Sequence, residues 1–353
     1  MTHDIENYDE IFSGTKQVAA NLKIDSERLQ PWIDAHVEGA GRIKRIEQFK
    51  GGQSNPTYKI TTDTKSLVLR RKPPGKLLPS AHAVDREYKV ISALYETDVP
   101  VPKTYGLCED ESVAGTAFFV MDFLDGDIYW NPMLPSLKKE DRIKIYSSKN
   151  KTLAALHSVD YKKVGLGDYG KPGNYVSRQI ARWSRQYKAS ETDNIDAMNN
   201  LIEWLPENIP NDDETSIVHG DFRLDNMIYK NNDVIGVLDW ELSTLGHPFA
   251  DLGYFLYAHY IPTGERHGLM GYNLEELNIP SVNELVSQYC KVRKVKVFDP
   301  TYYVVLSLFR NIAILEGVYA RYINGNESSP NAKDIGKDVE PFAKATYNII
   351  KKL

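Results

Sequence analysis

Apolar residues recur along this chain with two periods, and the change from one to the other predicts its layout. Leu29, Trp32, Ile33 and Val37 share one face of a helix. Residues 43–46, 58–60 and 67–70 instead carry short runs with strand character, the first two flanking a Gly-containing turn. Pro73-Pro74-Gly75 forbids continuation of the third strand, and a long loop leads to Ser80.

Ser80 suits the N-cap of a helix over residues 81–95, because its hydroxyl can take up a free amide of the first turn. On that helix Val84, Tyr88, Ile91, Leu94 and Tyr95 form one apolar stripe, and Glu87 falls inside it. A carboxylate left charged and alone in such a place costs several kcal/mol. A cation from the neighbouring strand is therefore expected, with Arg70 the first candidate.

Residues 117–121 read as a further strand, and 122–126 as a hinge into a mainly helical region. Helices are expected over 141–157, 176–188 and 195–205, and they dominate from Val282 onward. The apolar stretch 302–320 is interrupted by Arg310, Asn311 and Glu316, so it suits a buried helix better than a membrane span. Residues 324–331, polar with Gly and Pro, read as a loop.

Composition narrows the possibilities only a little. A chain of 353 residues is long enough for two lobes, here expected over residues 1–122 and 123–353. With 43 basic against 48 acidic side chains, net charge suggests neither a nucleic-acid nor a membrane partner. The opening residues lack a positive start and an apolar run, so no secretory signal is expected. Cys108 and Cys290 are too few and too far apart for a disulfide framework or a zinc knuckle, which implies packing roles and a reduced, cytoplasmic setting.

The chemistry concentrates in His219-Gly220-Asp221-Phe222-Arg223-Leu224-Asp225-Asn226, followed by an apolar run that stops at Asp239. Phosphoryl transfer asks for positioning and charge neutralisation rather than covalent help. Asp221 can accept or orient an acceptor hydroxyl, while Asn226 and Asp239 offer hard oxygens to Mg2+. The five-residue spacing of Asp221 and Asn226 matches the H-R-D-x-x-x-x-N loop of protein kinases, and Asp239-Trp240-Glu241 stands where D-F-G would stand. Neither an A-P-E signature nor an activation segment follows Asp239, which favours a small-molecule acceptor over a protein.

These residues resemble the aminoglycoside phosphotransferase and choline-kinase-like family. The stretches beginning Gly51-Gly52-Gln53-Ser54-Asn55, Arg71-Lys72-Pro73 and Leu238-Asp239-Trp240-Glu241 are similar to the kinase-like module fused to some acyl-CoA dehydrogenases. The resemblance implies an α+β, two-lobed protein-kinase-like fold, with a small antiparallel-sheet lobe joined to a larger helical one. It also implies ATP and Mg2+ as cofactors, and a nucleotide and a small hydroxyl acceptor as partners.

Gly51 and Gly52, lying between strands, permit close backbone approach over phosphates and Ser54 or Asn55 can add a donor, although a hairpin turn uses the same residues; Met121 resembles the gatekeeper of an adenine pocket, with backbone groups of Asp122 and Leu124 meeting the base. Asp251 would brace the catalytic loop, and His219 would hold backbone. One departure stands out: phosphate-gripping strands of this superfamily usually end in Lys, and this one carries Arg70. Arg71 and Lys72 are possible substitutes, although strand alternation puts Arg71 on the opposite face. Arg223 could clasp the γ-phosphate or an anionic acceptor, and Asp225 and Glu241 could act on the metal from behind its ligands.

For the acceptor, Arg178, Arg182 and Arg185 fall within about 60° on one helix face, an array that attracts anions or simply faces solvent. In the first case an acidic acceptor such as a hydroxyacyl-CoA is favoured over a polycationic aminoglycoside, although an antibiotic kinase stays an alternative. A nucleotide-binding pseudokinase or scaffold is the other alternative, suggested by Arg70.

Overall fold

Six strands pair antiparallel in the order β1-β2-β3-β4-β6-β5: β1 Thr15–Lys16, β2 Ile43–Phe49, β3 Thr57–Thr62, β4 Ser66–Arg71, β5 Thr104–Cys108 and β6 Phe118–Asp122. The computed structural model describes residues 13–51, 55–75, 82–262, 268–325 and 332–353. Gly52, Ser54 and Ser80 lie outside the described residues.

Alternation along β4 assigns its two faces. Leu67 and Leu69 turn toward helix α1 (Ser26–His36), whose Leu29 and Ile33 close a core with Tyr58, Ile60, Phe118 and Val120. Val68 turns the other way, toward helix α2 (Val84–Leu94), where Val84, Ile91 and Leu94 join a core that runs on into the helical lobe. Arg70 follows Val68 to the α2 side, and Arg71 goes to the other, where it donates to the carbonyl oxygens of Ala114 and Leu22. Helix α2 begins at Val84, three residues later than Ala81, because His82 sits at φ +58, a left-handed conformation that cannot continue a helix.

The larger lobe is built from α3 (Lys139–Ser158), α4 (Tyr175–Ser190), α5 (Asp196–Glu207), α6 (Pro248–Leu256), α7 (Val282–Arg293), α8 (Thr301–Ile323) and α9 (Ala332–Ile350). Helix α8 is long and apolar enough to cross a bilayer, yet here it packs inside the lobe against α4, α6 and α9. Its Glu316 is buried and accepts hydrogen bonds from the backbone and hydroxyl of Thr192. Helices α6 and α8 approach closely at Gly253, where an added Cβ would sit 2.4 Å from the Tyr303 backbone.

Two short ribbons aim the chemistry. Strand β7 (Ser216–Val218) pairs with β10 (Thr244–Gly246), and β8 (Met227–Lys230) pairs with β9 (Asp233–Val237). The loop after β7 carries Asp221 and Asn226, and the end of β9 leads to Asp239. Backbone bonds between Asp127 and Tyr229 tie the hinge segment to β8, so sheet and helices meet beside both loops.

Candidate active site

A cleft of about 550 Å³ lies between the sheet and the helical lobe. Val68 and Ile228 line opposite sides, and Met121, Leu124, Phe49 and Gly51 line the apolar part. Arg70, Glu87, Asn226 and Asp239 line the polar part. Such a volume and mixture suit a nucleotide-sized ligand. Asp122 lines the same wall, but its N–H is taken by the carbonyl of Lys103 and its carboxylate accepts from the Tyr105 hydroxyl.

Arg70 crosses this cleft. Its Nε sits 2.8 Å from Glu87 Oε2, and its Nη2 donates to Asp239 Oδ1 at 2.7 Å. Burial alone would make the guanidinium easier to deprotonate, and the two carboxylates more than reverse that. Burial also pushes the Glu87 carboxyl up to about 7, against the pull of Arg70. Among the described residues Lys72 reaches Asp85 alone, at 3.7 Å.

Asn55 is a correction to the expected phosphate flap. It is fully buried; its Nδ2 donates to Glu87 Oε1 at 2.8 Å and its Oδ1 lies 3.1 Å from His82 Nδ1. With one amide hydrogen given to Glu87 and its oxygen beside His82 Nδ1, the buried side chain steadies Glu87.

The loop that carries Asp221 is held from three directions. Asp251, buried at the start of α6, accepts the N–H groups of His219 at 2.6 Å and Gly220 at 2.9 Å. His157 Nε2 lies 3.3 Å from the same carboxylate, and its Nδ1 is 2.7 Å from the Tyr289 hydroxyl. His219 Nδ1 accepts from the Asp221 N–H, which leaves Nε2–H to donate to the Leu238 carbonyl at 2.8 Å. The Leu238 N–H in turn donates to the Asn226 carbonyl, so the two loops are stitched together. Gly220 takes φ +82, and an added Cβ would lie 2.8 Å from the Leu242 carbonyl, which leaves glycine the only fit.

At the centre, Asn226 Nδ2 donates to Asp221 Oδ2 at 2.9 Å, and the Tyr254 hydroxyl donates to Oδ1 at 2.5 Å. Arg223 Nε lies 3.2 Å from Oδ1, and its Nη2 lies 3.1 Å from Asp225 Oδ2. Burial would raise the Asp221 pKa, but Arg223, the Tyr254 hydrogen bond and the charges of His219 and Arg310 hold it below the ordinary carboxylate value. Such a carboxylate is a weak base and a good acceptor, able to orient a hydroxyl without removing its proton in advance.

Asn226 turns its amide nitrogen to Asp221, which leaves its carbonyl oxygen for a cation. Asp239 stands at φ +62, a strained conformation for a non-glycine residue, and offers Oδ2 beside the oxygen that Arg70 engages. One amide and one carboxylate oxygen fit Mg2+, which takes its remaining ligands from phosphates and water. Glu241, half-buried two residues on, acts electrostatically on Arg70 and Glu87.

The arginine stripe of α4 lies elsewhere. Arg178 spends its donors on the Gly173 and Lys171 carbonyls, closing the loop before its helix. Arg182 and Arg185 are exposed, the former beside the Trp183 ring. None of the three lines the cleft, because the apolar face of α4 is the one turned inward.

Three residues that the sequence did not single out do approach the centre. Tyr254 contacts Asp221 directly, Arg310 donates to the Gly220 carbonyl at 2.8 Å, and Lys149 is buried behind Arg223. Arg310 had one visible sign, its place inside an apolar helix.

The comparisons with known proteins agree with this geometry. A profile of the phosphotransferase enzyme family matches residues 45–277. The acyl-CoA dehydrogenase family member 10 of Mus musculus is 44% identical over 345 residues, which is 96% of this chain and 32% of that protein. The chain thus spans about a third of this relative's length. A crystal structure from Ralstonia eutropha, assigned to the aminoglycoside phosphotransferases, is 46% identical with a TM-score of 0.86, covering 94% of this chain and 99% of that one. The aminoglycoside phosphotransferase APH(4)-Ia bound to ADP and hygromycin B shares the fold at 11% identity and a TM-score of 0.60, with 91% of this chain and 98% of that one covered. A kinase-like fold, a matching profile and a close relative over nearly the whole chain make this protein a member of the phosphotransferase enzyme family.

Proposed function

We propose that this protein transfers the γ-phosphate of ATP, with Mg2+, to a hydroxyl group of a small anionic molecule. The observation that carries the reading is the meeting of Asp221, Asn226 and Asp239 at the mouth of a nucleotide-sized cleft crossed by Arg70. Asp221 accepts the acceptor hydroxyl and aligns it, Asn226 and Asp239 hold the metal, and Arg70 turns from Asp239 to the phosphates. When bound, Mg2+ neutralises charge on the transferring group.

The anionic acceptor follows from Arg223 and Lys149 beside Asp221, which would repel a polycation such as an aminoglycoside. Hydroxyacyl-CoA-like molecules belong to the favoured class. Screening hydroxyacyl-CoAs, hydroxy acids, choline, sugars and aminoglycosides with Mg-ATP for products one phosphoryl group heavier tests the reading. Transfer to choline or aminoglycosides alone would reject the anionic acceptor.

A second reading, a nucleotide-binding scaffold, rests on the contact that ties Asp239 to Arg70. It predicts stabilisation by Mg-ATP without transfer to any member of that panel.

A further inference from the structure

Lys149 is a buried cation whose position in the reaction is otherwise unassigned. It is 4% exposed on the inner face of α3, and its ammonium lies 4.2 Å from the centre of the Phe255 ring and 5.8 Å from that of Phe222. No carboxylate of the described residues lies within ion-pair distance of it. Contact with ring faces returns only part of the hydration that such a charge loses. A long cationic side chain kept in this state, where an apolar residue would pack more stably, points to a ligand.

The space in front of it says what kind. Lys149, Phe222, Arg223, Asp225, Tyr254 and Tyr257 line a recess of about 30 Å³. Arg223 spans from this recess to Asp221, 3.2 Å away, so the recess opens next to the carboxylate that orients the acceptor. Two cations and one carboxylate line it, and Asp225 Oδ2 is already engaged by Arg223. Arg223 is thus engaged by Asp221 as well as Asp225, which leaves the Lys149 ammonium as the charge there without an ion-pair partner among the described residues, and the volume admits a group of a few atoms rather than a sugar ring.

We propose that Lys149 and Arg223 form an anion subsite of the acceptor pocket, which takes the carboxylate of a small hydroxy acid whose hydroxyl lies toward Asp221. This rests on the reading of Asp221 as the acceptor-side residue of a kinase. Burial holds the Lys149 pKa down to about 7, with Asp225 and Asp221 raising it and Arg223 lowering it. A bound carboxylate would keep the ammonium protonated.

The test uses the full chain with butyrate as probe and butanamide as its uncharged counterpart, binding being read by calorimetry. The expected result is saturable binding of butyrate at least tenfold tighter than butanamide. Lys149→Met should weaken butyrate at least tenfold and Lys149→Arg should restore most of it. A wild-type chain with no preference for butyrate overturns the proposal without recourse to any variant, as does a folded Lys149→Met chain that binds butyrate like wild type. Mg-ATP thermal stabilisation of the same samples reports folding. Its absence from the wild type would count against the kinase reading and leave the anion subsite to be judged by butyrate alone.

Discussion

The two walls of the cleft solve the same electrostatic problem in different ways. On the nucleotide side Arg70 is buried between two carboxylates, Glu87 and Asp239, and Glu87 is further held by Asn55. On the acceptor side Arg223 also bridges two carboxylates, Asp221 and Asp225, but a second cation, Lys149, stands behind it with no ion-pair partner among the described residues. On the first wall Arg70, Glu87 and Asp239 each have an opposite charge in contact. On the second the Lys149 ammonium has none among the described residues and meets ring faces instead. The difference teaches that burial of a charge is structural where its partners are present and points to binding where they are not.

The largest test of this contrast acts on the centre. Asp221→Ala should lower kcat by about two to four orders of magnitude while Mg-ATP affinity, read by calorimetry, stays within about twofold. Equal turnover would remove Asp221 from the mechanism. Next comes Glu87→Leu, which strands Arg70 with only Asp239 across the cleft. It should cost about 3–5 kcal/mol in urea unfolding. A change under about 1 kcal/mol would show that the nucleotide wall does not depend on its internal balance.

The acceptor wall should answer with the opposite sign. Lys149→Met removes an unpaired buried charge and should stabilise the unliganded protein by about 1–3 kcal/mol. The sign with pH follows from a folded pKa held to about 7 against an ordinary 10.5. Favourable burial of the neutral amine is complete above 10.5 and is lost as pH falls through about 7, so the gain should be greatest at and below neutrality and fade toward pH 10.5. Destabilisation by this substitution would contradict the contrast. The smallest effect is expected for Arg182→Ala with Arg185→Ala, two exposed residues away from both walls: within about 0.5 kcal/mol in stability, with unchanged kcat/KM.

How much of this was legible in the sequence follows the same division. The nucleotide wall consists of residues that neighbours in the chain announce: a charge ending a strand, a carboxylate out of place on an apolar stripe, and acidic positions in turns after short apolar runs. Their periodicity predicts direction, and β4 turns Arg70 and Arg71 to opposite sides as alternation requires. Asn55 looked like a loop donor because a polar residue between strands carries no mark of burial. The acceptor wall is assembled from helices far apart in sequence, where the inward face depends on tertiary packing. Lys149, Tyr254 and Arg310 therefore converge on the centre without a local pattern, while the regular arginine spacing on α4 marked its outward side.

The contact between Arg70 and Asp239 joins residues 169 positions apart, one from the sheet and one from the helical lobe. It acts as an electrostatic latch across the opening in the free chain. In the proposed reaction Asp239 Oδ2 can meet a metal while Arg70 holds Oδ1, and it is the turn of Arg70 toward the phosphates that gives up this latch, so part of the nucleotide's interaction energy would replace an attraction already present. Shortening the latch arm, as in Arg70→Lys, would weaken the resting closure and the grip on phosphate together, which makes nucleotide affinity a net balance between two competing uses of one guanidinium.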